Sequence, residues 1–77
     1  MAKIEKMRQL GMERTKVHDP ADASYTLFRA EDGELILQID TYGSGSRGQP
    51  GKKSQTIQFG HDGLEQLKGI LKNIREE

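Results

Sequence analysis

Between Tyr42 and Ser54 the chain places three cations, Arg47, Lys52 and Lys53, among Gly43, Ser44, Gly45, Ser46, Gly48 and Gly51, with no acid from residue 41 to residue 60. Consecutive glycine and serine amides form an anion-binding concavity, and added cations suit it to phosphate. On either side stand Tyr42, Gln38, Thr56 and Gln58, with Ile36 and Arg29 near them. One aromatic ring among amides and hydroxyls, beside a basic loop, suits a single strand whose bases stack while its backbone meets cations. The same residues also fit plainer roles: a long solubilised hairpin connection whose lysines block edge-to-edge aggregation, and a solvated or dimer-forming sheet face.

The spacing of other reactive types excludes more than it supports. Gly43-Ser44-Gly45-Ser46-Arg47-Gly48 is a literal G-x-G-x-x-G after a strand-like run. The dinucleotide motif also needs a helix opening at its third glycine, and Gln49-Pro50-Gly51 follows instead. Gly48 to Ser54 lacks the spacing and the helix of a P-loop. His18-Asp19 and His61-Asp62 are the two His-Asp pairs, with no further ligands to make a hydrolytic metal site. Asp32, Glu34 and Asp40 form no acid-x-lysine pair of a nuclease, and no nucleophile elbow is present. The expectation is a non-enzyme without metal or cofactor.

The elements that must position the loop follow from periodicity. Tyr25-Thr26-Leu27-Phe28-Arg29-Ala30 reads as a strand, and Glu31-Asp32-Gly33-Glu34 supplies the Asp-Gly pair of a tight hairpin. In the next strand Leu35, Leu37 and Ile39 share one face, taken as the core, while Ile36, Gln38, Asp40 and Tyr42 share the other. A third strand, Ser54 to Phe59, alternates in the same way. Asp62 is the expected N-cap of a C-terminal helix with Leu64, Leu67, Leu71 and Ile74 in a stripe, Ile70 beside it, and Leu35, Leu37 and Ile39 beneath. Ile4, Met7 and Leu10 at three-residue spacing before Gly11 suggest a short helix or an arm, and Thr15 to Ser24 reads as a turn-rich connection under which Met12 and Val17 pack. The fold class is α+β: an antiparallel sheet of three strands, with room for a fourth, backed by one helix in β-β-β-α order over 24–77, with residues 1–17 as a basic helix or arm.

Seventy-seven residues, 32% of them hydrophobic and none Trp or Cys, make one thin-cored domain. A chain of this size buries only about 60% of its unfolded surface, so self-association, most simply a two-fold dimer, is expected. No run approaches a membrane span and no signal segment is seen, so a cytoplasmic location is expected. The formal net charge is zero, unlike that of a strongly basic nucleic-acid binder. Its distribution is uneven: residues 18 to 40 hold Arg29 and a block of acids, and residues 41 to 60 hold only cations.

The strand Gln38-Ile39-Asp40-Thr41-Tyr42, the run Pro50-Gly51-Lys52-Lys53-Ser54-Gln55-Thr56-Ile57 and the helix piece Leu64-Glu65-Gln66-Leu67-Lys68 together resemble the single-stranded-DNA-binding transcriptional coactivators of the positive-cofactor-four family and their small bacterial relatives. The resemblance spans residues 37–68. It implies a curved antiparallel sheet, a helix-mediated homodimer, and single strands lying across the sheets with the loop cations near phosphate. Thr41 stands where the family typically has arginine, and Ser54 where it usually has glycine. Leu37 to Phe59 is also similar to a stretch of small uncharacterised prokaryotic and phage proteins, which implies no activity.

These readings converge on a homodimeric module for nucleic acid, single-stranded DNA before duplex, with Arg47, Lys52, Lys53 and Arg29 as cations and Tyr42, Gln38, Thr56 and Gln58 on the sheet. A sheet backed by one helix also suits insertion into a duplex major groove, as in phage integrase arm-binding domains. The alternative from another class is a phage or accessory factor that docks on a host protein through its sheet face or edge, for which the acidic block from Asp19 to Asp40 speaks. A third is a nucleotide- or phosphate-binding loop.

Overall fold

The computed structural model describes residues 1–11, 16–43 and 53–75, with only the backbone of Lys53. Four strands, β1 (Ala2–Ile4), β2 (Ala23–Arg29), β3 (Leu35–Tyr42) and β4 (Lys53–Phe59), are followed by one helix, α1 (His61–Asn73). They form one sheet in the order β1-β4-β3-β2, so the chain is a small α+β fold. The hairpins β2-β3 and β3-β4 are antiparallel. β1 pairs with β4 in parallel, so the sheet is mixed rather than wholly antiparallel. Ile4 is therefore at the end of a strand, and no helix forms over residues 3–10. The three-residue spacing of Ile4, Met7 and Leu10 is too short a pattern to nucleate a helix against a waiting sheet edge.

The β2-β3 turn has the chemistry its residues predict. Gly33 takes a positive φ of 90°, its N–H donates to the Ala30 carbonyl at 2.9 Å, and the Glu34 N–H donates to Asp32 Oδ1 at 3.0 Å. Arg29 Nη1 adds a bond to the Gly33 carbonyl at 2.9 Å.

Burial departs from the expected two-faced pattern. Ile36, 3% exposed, and Asp40, 2% exposed, are buried on the face expected to be solvated, and Phe59 is buried on the other. Leu35, expected in the core, is exposed, as is Val17. The register sets Phe28 beside Ile36, so the supposed outer face has an apolar centre of its own.

The helix starts two residues earlier than expected. Gly60 is the N-cap, without a side-chain bond, and Asp62 sits in the first turn. The orphan first-turn amide of His61 instead donates to Glu34 Oε2 at 2.8 Å, so the β2-β3 turn caps α1 from across the sheet. Lys3 Nζ holds the other oxygen of Glu34 at 2.8 Å and lies 3.6 Å from Glu5. A Cβ on Gly60 would stand 2.5 Å from Glu34 Oε2, so a larger residue there would displace the Glu34 and Lys3 side chains from the cap.

α1 is embedded only at its start. Gly63 is buried against the Ile4 carbonyl and the Phe59 ring. Leu64, Gln66 and Leu67 are half-buried, and every residue from Lys68 to Arg75 is exposed, including Ile70, Leu71 and Ile74. The apolar stripe is thus only half used within the chain and does not cover Leu35. Gln66 ties the helix to the segment after β1, accepting from the Met7 N–H at 2.7 Å and donating to the Glu5 carbonyl at 3.2 Å.

Candidate nucleic-acid interface

Alternation along β3 and β4 brings Gln38, Asp40, Thr56 and Gln58 to one face, and the register makes Gln38 and Gln58, and Asp40 and Thr56, cross-strand neighbours. Their side chains form a connected row. Gln58 Nε2 donates to Gln38 Oε1 at 2.9 Å, Gln38 Nε2 donates to Asp40 Oδ2 at 3.0 Å, and Thr56 Oγ1 donates to Asp40 Oδ1 at 2.6 Å. A carboxylate this deeply buried needs such donors, because loss of hydration is otherwise uncompensated. The amides are held in fixed orientations by the same bonds.

At the end of the row the Tyr42 and Ser24 hydroxyls share a hydrogen bond of 2.8 Å, which orients the half-buried Tyr42 on the same face. The register shift between Thr41 and Tyr42 pairs Tyr42 with Lys53. Along β4 the row is flanked by β1 and the residue before it, which add Lys3 and Met1. A groove of about 490 Å³ results, lined by Met1, Ala2, Lys3, Gln38, Thr56 and Gln58.

Four of the expected site residues, Gln38, Thr56, Gln58 and Tyr42, therefore share one face. Arg29 does not join them: it pairs with Leu35, on the opposite face from Gln38, and its guanidinium serves the β2-β3 turn. Lys53 begins β4, while Arg47 and Lys52 lie outside the described residues. Lys3 is the cation that sequence reasoning missed, because only the parallel pairing of β1 sets it beside Gln58. Its ammonium is held protonated above its ordinary range, first by the hydrogen bond to Glu34. The same bond and the His61 N–H hold the Glu34 carboxyl below its ordinary range.

Among the described residues no group of three or more His, Cys, Asp or Glu side chains is arranged to hold a metal ion. No helix there is long and apolar enough to cross a membrane. A second groove, of about 780 Å³, runs between Met7, Arg8 and Gln9 and the outer half of α1 at Gly69, Ile70 and Asn73. Compared with known proteins, the chain matches no family model, no curated protein and no solved structure.

Proposed function

We propose that this chain is a small non-catalytic nucleic-acid-binding module that acts as a homodimer and takes single-stranded DNA across the Gln38/Gln58 face of its sheet. The observation that carries this reading is the oriented row of Gln58, Gln38 and Thr56 in one groove, ending at Tyr42 where the chain enters the basic loop. Amides offer donors and acceptors to base edges, a tyrosine offers a stacking surface, and the loop cations Arg47, Lys52 and Lys53 supply attraction for phosphate. Bases meet the sheet, and the backbone passes along the loop.

The test is fluorescence anisotropy with labelled single-stranded and duplex oligonucleotides at low and moderate salt, on the wild type and on Lys52→Ala/Lys53→Ala. The expected result is single-strand binding that weakens steeply with salt, with the slope reduced by about one for each phosphate contact removed. Preference for duplex would replace the single-strand geometry by insertion of the sheet into the major groove. No binding to either oligonucleotide at low salt would overturn the reading. The exposed Leu71 and Ile74 would then favour a module that docks on another protein.

A further inference from the structure

We propose that two copies of this chain pair antiparallel through the outer edges of their β2 strands, making one continuous eight-stranded sheet with a two-fold axis at Thr26. This rests on the homodimer half of the reading above and is independent of its nucleic-acid half.

The argument starts from which backbone groups of β2 are already used. The Ala30 N–H donates to the Glu34 carbonyl and the Tyr42 N–H to the Asp22 carbonyl, so in the β2-β3 ladder the even-numbered residues of β2 turn their amides and carbonyls toward β3. Ala23, Tyr25, Leu27 and Arg29 turn theirs outward, where no described residue pairs with them. A seven-residue strand is a long edge to leave open, and between Ala23 and Phe28 it carries no lysine, proline or bulge. The opposite edge is protected: β1 is three residues long and carries Lys3 at its centre. One sheet thus has a guarded edge and an unguarded one.

The unguarded edge is complementary to itself. A two-fold axis at Thr26 sets Tyr25 opposite Leu27 of the second copy and Ala23 opposite Arg29, all four outward-facing, so every open group on the edge finds a partner. Tyr25 is 73% exposed and Leu27 57% exposed, and both stand on the same face of the sheet. The pairing lays each aromatic ring on a branched aliphatic side chain, a favourable cross-strand combination. The assembly then stops at two copies, because the edges left over are the short β1 strands.

The chain has no cysteine, so single cysteines report the register directly. In this pairing Thr26 faces itself across the axis as a non-hydrogen-bonded pair, with Cα atoms about 4.5 Å apart, within disulfide range. Phe28 faces Ser24 of the second copy, and the two Phe28 positions are more than about 13 Å apart. Under mild oxidation Thr26→Cys is expected to give a covalent dimer, while Phe28→Cys and Leu71→Cys stay largely uncrosslinked. Light scattering on the wild type is expected to give the mass of a dimer. Thr26→Asp and Thr26→Lys are each expected to shift it toward monomer, and their mixture to restore dimers. A monomeric wild type would overturn both this pairing and the homodimer. A dimeric wild type that crosslinks through Leu71→Cys and not Thr26→Cys, or that ignores charge at residue 26, would overturn the pairing and leave the homodimer standing.

Discussion

Gly63→Ala and Gly69→Ala make the same chemical change in the same helix, and the structure predicts opposite outcomes. On helix propensity alone each gains about 0.5–1 kcal/mol, because alanine loses less backbone entropy than glycine. At Gly69 nothing lies within 4 Å of the added Cβ, so the gain is expected in full. At Gly63 the Cβ overlaps the carbonyl oxygen of Ile4 and comes within 3.0 Å of its carbonyl carbon. Those are backbone atoms of a strand, and no side-chain rotation relieves the contact. Overpacking costs about 1–3 kcal/mol, and a contact with fixed backbone takes the upper part of that range, about 2–3 kcal/mol, which leaves a net loss of about 1–2.5 kcal/mol after the propensity gain. A domain of this size has about 4–12 kcal/mol of stability in total, so the loss is substantial. The yielding part is β1, which is three residues long and pairs with β4 alone. With about 4–8 °C of melting temperature per kcal/mol, calorimetry should show Gly63→Ala lower by about 4–20 °C and Gly69→Ala higher by about 2–8 °C. Hydrogen exchange should show Gly63→Ala speeding the amides where β4 meets β1. Two substitutions that stabilise equally would refute the close approach of α1 to the end of β1.

Other consequences follow from the polar contacts. The Glu34 carboxyl is depressed in the folded state relative to its ordinary 4.5, so its contribution is present above that pH and is lost as pH falls through the lower folded value. The Lys3 ammonium is raised above 10.5, so its contribution is present below that pH and is lost as pH rises through the higher folded value. Denaturation midpoints against pH should therefore fall on both flanks, and Glu34→Gln should flatten the acid flank. Asp40→Ala strips two donors, Thr56 Oγ1 and Gln38 Nε2, of their acceptor in a buried setting. A loss of about 1–3 kcal/mol is expected by urea titration, and a change within error would mean that the row is not structurally required.

Much of this protein is readable residue by residue. Asp32-Gly33 specifies its hairpin because the turn requires positive φ, a local demand that needs no tertiary partner. The strands from β2 to β4 and the helix follow from periods of two and of three to four. The grouping of Gln38, Gln58, Thr56 and Tyr42 on one face follows from the same alternation. What alternation cannot say is which face is buried, since that depends on what packs against it. Ile36 and Asp40 are buried opposite the expected core, and the helix stripe past Leu67 is left open. Nor does a three-residue strand carry a pattern of its own. Ala2-Lys3-Ile4 becomes β1 because the outer edge of β4 supplies hydrogen-bond partners more than fifty positions away. That one long-range pairing brings Lys3 to the groove and allows Glu34, held by Lys3, to cap α1 in place of Asp62. Local conformation was determined by the residues themselves, whereas the cap, the missed cation and the buried face were decided by contacts between distant segments, where burial and pairing outweigh local preference.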